Sequence, residues 1–207
     1  MLDPLMRRLI DPPLAKMAAM VVRLPVGISA NKVTLAGFIL GLVACALAAQ
    51  GHFLAALGAL LLNRLADGLD GAIARHNGAE SDIGAYLDIV CDFIIWALLP
   101  LAFIAHAPEN AFAAALLLSS FAMSMTVFLA FAIMAEKKGL KSQAQGKKHF
   151  FYLSGLAEGT ETIGFFVFVM LFPAYFSVGA MVFALIVGVS VIGRILAALS
   201  SLTQSKE

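Results

Sequence analysis

Residues 33–63, VTLAGFILGLVACALAAQGHFLAALGALLLN, contain no Asp, Glu, Lys or Arg. A helix crossing a hydrocarbon core of roughly 30 Å needs about 20 apolar residues. The run is too long for one such helix, and Gln50-Gly51-His52 interrupts it with turn-forming residues. It therefore reads as two membrane helices joined by a tight turn. Further apolar segments of bilayer length follow at 84–106, 111–135, 150–172 and 175–199, with Pro108-Glu109-Asn110 and Pro173 as breaks. The predicted fold is all-α, a polytopic membrane protein with six transmembrane helices.

Composition agrees. The chain of 207 residues is 61% hydrophobic and 13% charged, with a mean hydropathy of +0.94. Soluble domains carry about twice that charge, and disordered chains have low hydrophobicity. With Lys+Arg 14 against Asp+Glu 13 there is no basic excess for nucleic acid. Cys45 and Cys91 lie in apolar runs and form neither a disulfide framework nor a zinc pattern.

The first 25 residues differ from the rest. Leu2, Leu5, Leu9 and Ile10 recur at helical spacing among Asp3, Arg7, Arg8, Asp11 and Lys16. No unbroken apolar core of a signal peptide is present. An amphipathic helix in the membrane interface, interrupted at Pro12-Pro13, is expected; a soluble leader is the alternative. The chain is expected to divide into a juxtamembrane helix (1–28), a six-helix transmembrane domain (29–202) and a cytosolic tail (203–207). All 14 Lys and Arg fall on segments that share one membrane face when the N-terminus is inside, and the outer turns hold none. By the positive-inside rule both termini are cytoplasmic, and the expected location is a bacterial inner membrane.

Acidic groups within spans are costly and mark function. The second helix ends in Asp67-Gly-Leu-Asp70-Gly71-Ala72-Ile73-Ala74-Arg75, and the third carries Gly84, Asp88 and Asp92. Asp67 and Asp70 share a helix face by their i,i+3 spacing, as do Gly84, Asp88 and Asp92 at i,i+4,i+8. A short inner loop makes these helices an antiparallel pair, so both acidic faces meet. Four converging carboxylates require cations, and hard oxygen donors suit Mg²⁺ or Mn²⁺. Gly68, Gly71, Ala72, Ala74 and Gly84 remove bulk and are expected to open a slot beside the carboxylates, where Arg75 reaches a phosphate. Gly37-x-x-x-Gly41 reads as close helix packing. This acidic site is expected to face the cytoplasm.

The pattern Asp67-x-x-Asp70-Gly71-x-x-Ala74-Arg75, then Gly84, Asp88 and Asp92 at fixed spacing, resembles the signature of the CDP-alcohol phosphotransferase (CDP-alcohol phosphatidyltransferase) family at every specified position. Asn31-Lys32-Val33-Thr34 is similar to that family's entry to the first span, with Ala30 where a proline is usual. The resemblance covers essentially the whole chain. It implies a phospholipid-biosynthetic transferase that moves a phosphatidyl or related phosphoalcohol group from a CDP-linked lipid donor, CDP-diacylglycerol or another CDP-alcohol, to a hydroxyl-bearing polar acceptor and releases CMP. It implies that Asp67, Asp70, Asp88 and Asp92 hold two metal ions, Mg²⁺ or Mn²⁺, and that Asp92 is the general base. Asn31, Thr34, Asp70, Gly71, Ala74, Arg75 and Gly84 would contact the nucleotide, and a homodimer is expected.

Glu158 and Glu161, in the first half of the fifth helix, and Arg194, several residues from the inner end of the sixth, are expected level with the aspartates, as an acceptor-binding set with Lys147. Arg194 could instead snorkel to the interface. The lysines of 137–148 could recruit anionic lipid or simply set topology. Arg64 could support the site or only balance the aspartates. Alternatives to the transferase are a metal- and pyrophosphate-dependent membrane prenyltransferase, a CDP-lipid hydrolase and a cation transporter. The single acidic hairpin disfavours the first, and the lack of an internal repeat disfavours the last.

Overall fold

The structure is a computed structural model and describes residues 3–22, 29–138 and 158–204. These residues form seven helices in chain order: α1 (Asp3–Val22), α2 (Ala30–Ala49), α3 (Phe53–Asn77), α4 (Asp82–His106), α5 (Ala111–Lys137), α6 (Gly159–Leu171) and α7 (Phe176–Gln204). Single 3₁₀ turns, Pro108–Asn110 and Pro173–Tyr175, lead into α5 and α7. Among the described residues there is no strand.

Four segments are long and apolar enough to cross a bilayer: Ala30–Ala49, Asp82–His106, Pro108–Lys137 and Pro173–Thr203. The chain is a polytopic membrane protein. Two of the six predicted spans fall outside that set for different reasons. Helix α3 has the length, at 25 residues, but Arg64, Asp67, Asp70 and Arg75 lower its hydropathy. Helix α6 has the hydropathy but only 13 residues, and 150–157 of the predicted fifth span lie outside the described residues.

Without a water-driven force between membrane helices, association depends on close packing of small residues. Helix α2 lies against α3 and α4. A Cβ on Gly37 would fall 2.9 Å from that of Ala66, and one on Gly41 would fall 2.6 Å from Ile95 Cδ1. The packing role expected of this glycine pair holds. Aromatic rings pack near the α2–α3 turn: Phe103 stacks on Phe53 at 5.2 Å and on Phe176 at 4.0 Å. The turn between α2 and α3 needs Gly51 at φ +80°, and a side chain there would strike His106.

Helix α1 packs against α3 on the face opposite α2's glycines, burying Leu14 and Ala18 against Ala72 and Ile73. The expected interruption at Pro12-Pro13 is absent, because α1 runs continuously from Asp3 to Val22. The proline φ suits a helix, both rings are exposed, and the contact of Leu14 with α3 anchors the chain immediately afterwards.

Candidate active site

Helix α3 ends at Gly78, whose left-handed φ of +59° turns the chain, and α4 restarts after Ser81, whose Oγ accepts the Gly84 N–H at 3.1 Å. This short connection sets the acidic faces of α3 and α4 side by side, and α2 closes the third side. One pocket results, lined by Thr34, Gly37 and Phe38 of α2, Asn63, Arg64, Asp67 and Asp70 of α3, and Asp88, Cys91 and Asp92 of α4. All four aspartates singled out from the sequence reach it.

Their carboxylates are held by neighbouring side chains. Thr34 Oγ1 donates to Asp70 Oδ2 at 2.5 Å, tying α2 to the buried acid of α3. Arg64 donates to both oxygens of Asp92, Nη2 to Oδ1 at 2.6 Å and Nη1 to Oδ2 at 3.1 Å. The same Nη1 lies 3.8 Å from Asp67 Oδ2. Its guanidinium carbon stands 4.9 Å from the centre of the Trp96 ring. Asn63, itself buried, accepts from Arg64 Nε at 2.8 Å and donates to the Gly37 carbonyl at 2.8 Å.

Four carboxylates and a threonine hydroxyl are hard oxygen donors, the chemistry that Mg²⁺ and Mn²⁺ take. Against them the pocket lining sets one arginine. An excess of negative charge in a membrane protein calls for a cation, so the residues fit divalent ions. Among the described residues no three His, Cys, Asp or Glu side chains close on one point. Asp70 is turned toward Thr34 and Asp92 toward Arg64.

The remaining candidates separate. Asn31 and Gly84 are neighbours, since a Cβ on Gly84 would lie 3.5 Å from Asn31 Oδ1. Arg75 folds back along its helix to lie 3.3 Å from where a Gly71 Cβ would be. Gly71, Ala74, Arg75, Gly84 and Asn31 are not among the lining residues and lie near the start of α2, the end of α3 and the start of α4. Gly68 and Ala72 do not open a slot. A Cβ on Gly68 would meet Leu14 Cδ1 at 2.7 Å, and Ala72 is buried in the α1 contact; both residues seat α1.

Glu158 and Glu161 do not lie partway down a helix. Helix α6 starts at Gly159, and the two form a capping box at its N-terminus, with the Glu158 N–H donating to Glu161 Oε2 at 3.1 Å. Free N–H groups at a helix start attract carboxylates, which explains their spacing. Arg194 is buried between α7 and α5, donating to Ser124 Oγ at 2.8 Å, rather than snorkelling to the interface. Lys147 lies outside the described residues.

Asn63, Phe38 and Cys91 were not singled out from the sequence. Helical periodicity contains them: Asn63 precedes Asp67 by four residues, Phe38 follows Thr34 by four, and Cys91 follows Asp88 by three.

The sequence profile of the CDP-alcohol phosphatidyltransferases matches residues 27–192. The chain belongs to the CDP-alcohol phosphatidyltransferase family. It is 48% identical over 158 residues to the inner membrane protein YnjF of Escherichia coli K12, covering 76% of each chain. Its fold is similar to that of the phosphatidylinositol phosphate synthase PgsA1 of Mycobacterium tuberculosis solved with CDP-DAG bound, with a TM-score of 0.68 at 23% identity over 89% of this chain and 92% of that one. The same synthase in complex with manganese and citrate gives a TM-score of 0.68 at 22% identity over 90% and 88% of the two chains. At such identities the likeness speaks for the fold. Of the motif that identifies this CDP-alcohol phosphatidyltransferase from its sequence, the four aspartates line its pocket.

Proposed function

We propose that the protein transfers a phosphatidyl group from CDP-diacylglycerol to the hydroxyl of a polar acceptor and releases CMP. The observation that carries this reading is the convergence of Asp67, Asp70, Asp88 and Asp92 on one pocket between three helices. In the reaction, the acceptor oxygen bonds to the phosphorus bearing the diacylglycerol. The bond from that phosphorus to the oxygen of CMP breaks, and CMP leaves with the bonding pair. The acceptor proton passes to Asp92, whose carboxylate accepts two hydrogen bonds from Arg64 in the structure.

Asp67, Asp70, Asp88 and Asp92 would hold two divalent ions, Mg²⁺ or Mn²⁺, and such ions would supply charge to polarise the diphosphate and stabilise the leaving oxygen. Thr34 fixes the Asp70 carboxylate toward α2. Gly71, Ala74, Arg75 and Gly84, with Asn31, form the inner approach where the cytidine diphosphate would lie, and the lack of side chains at Gly71 and Gly84 leaves backbone to meet it. PgsA1 with CDP-DAG bound supports a CDP-lipid donor for this fold.

The six-span reading extends to α3 and α6. The outer half of α3 exposes Leu54, Leu61 and Leu62, as a lipid-facing surface does. Helix α1, with Leu9, Ile10 and Met20 exposed, lies in the interface with both termini cytoplasmic. Cysteine-accessibility labelling of intact cells checks this arrangement, and labelling of residue 2 from outside would reverse it.

Incubation of purified protein with Mg²⁺, labelled CDP-diacylglycerol and a panel of polyols, phosphorylated polyols, serine and amino alcohols tests the function. A new phospholipid formed in step with CMP is expected. CMP release without any alcohol would make it a hydrolase. Inertness toward CDP-diacylglycerol with turnover of a polyprenyl diphosphate would make it a prenyltransferase.

A further inference from the structure

Arg64 stands outside the family signature yet contacts three polar side chains of the pocket, Asn63, Asp67 and Asp92. Its Nε is fixed by Asn63, which is anchored in turn on the Gly37 carbonyl of α2. Its two terminal nitrogens grip Asp92 of α4, one of them also lies within ion-pair range of Asp67, and its flat face covers Trp96. The guanidinium side chain is only 12% exposed. A planar fork suits this geometry, since it meets a carboxylate with two parallel bonds while stacking on an aromatic ring.

The cation therefore sits between one carboxylate of each acidic helix, Asp67 of α3 and Asp92 of α4. A divalent ion shared by those carboxylates would occupy the same negative ground. We infer that Arg64 is an exchangeable internal counter-cation, a positioning residue that holds Asp92 and Asp67 together while the metal is away and yields them when it binds. This rests on the metal reading above. Two consequences follow from charge alone. Arg64 competes with the metal, so its removal strengthens metal binding. Displacement of its guanidinium alters the face of Trp96, the one tryptophan in the chain, which makes that ring a reporter of metal occupancy.

The experiment uses the full-length protein in nanodiscs, free of nucleotide, titrated with Mg²⁺, with binding heat and Trp96 emission followed in parallel. In the wild type a saturable emission change is expected at the midpoint given by calorimetry. In Arg64→Gln the Mg²⁺ Kd should fall by at least about tenfold, the low end of what a neighbouring arginine does to a carboxylate's affinity for a proton, and the emission response should vanish. Arg64→Lys keeps the charge, so its Kd should stay near that of the wild type. Binding heat with silent Trp96 and an unchanged or raised Kd in Arg64→Gln would overturn the exchange and leave the metal site standing. No binding heat in the wild type would overturn the metal reading itself. If Arg64→Gln does not fold, the wild-type comparison of heat and emission decides alone.

Discussion

Gly37→Ala tests whether the acidic site depends on the close approach of α2 to α3. The new Cβ would lie 2.9 Å from Ala66 Cβ, which is fixed to the α3 backbone and cannot rotate away. Carbon atoms prefer about 3.5–4.0 Å, so the helices must part by a sizeable fraction of an ångström. Overpacking of this kind costs about 1–3 kcal/mol. Alanine's better helix propensity offsets up to about 1 kcal/mol of it. Gly58→Ala supplies the control, because its Cβ would meet nothing within 4 Å and only the propensity gain applies. The two variants should therefore differ by about 1–3 kcal/mol in denaturant or thermal unfolding in micelles. The same parting stretches the Thr34–Asp70 bond, 2.5 Å long and one turn away. A hydrogen bond to a charged group is worth about 1.5–3 kcal/mol, so turnover should fall about tenfold, the equivalent of roughly 1.4 kcal/mol. Ala66→Gly in the Gly37→Ala background restores the space and should recover much of both losses. Equal stability of Gly37→Ala and Gly58→Ala, or a double variant no better than additive, would refute the reasoning.

Three further outcomes are expected. Asp92→Asn should abolish phospholipid formation while CDP-diacylglycerol binding, measured by calorimetry, survives; normal turnover would remove Asp92 as the base. Chelation with EDTA should stop turnover, and Mg²⁺ or Mn²⁺ should restore it; full activity in chelator would contradict the metal reading. Glu161→Ala should lower the unfolding midpoint through loss of its half of the α6 capping box, by about 1 kcal/mol as for other caps, with kcat/KM for the acceptor nearly unchanged. An acceptor-specific kcat/KM loss without destabilisation would assign that glutamate to the acceptor site.

The helical class and the acidic hairpin were legible because each depends on local order. Apolar runs of bilayer length set the helices, and i,i+3 and i,i+4 spacing put the aspartates on shared faces. What eluded the sequence depends on which face meets which neighbour. Gly68 and Gly71 are three residues apart in one motif, yet one receives Leu14 from α1 and the other lies beside Arg75. Nothing in the motif separates those fates, since a glycine has no side chain to declare a preference. Glu158 and Glu161 misled for a related reason: their depth was counted from a helix start at 150, whereas the pair caps a helix starting at Gly159. An acidic pair three residues apart suits either a helix face or a capping box, and only the actual start distinguishes them.

The small residues beside the carboxylates thus work in two directions. On one face Gly37 and Gly41 of α2 and Ala66 of α3 bring backbones close enough for Thr34 to reach Asp70 and for Asn63 to reach a backbone carbonyl. On the other, Gly68 and Ala72 admit α1. Helix α3 is therefore gripped from both sides at the level of its aspartates. That grip counters the repulsion that four carboxylates exert on the helices that carry them. A bulky apolar face on α3 would pack well in lipid, but it would hold α2 too far away for Thr34 and Asn63 to span the gap. The requirement for small residues around Asp67 and Asp70 then comes from the short reach of the side chains that orient the acids, as much as from any substrate that must pass them.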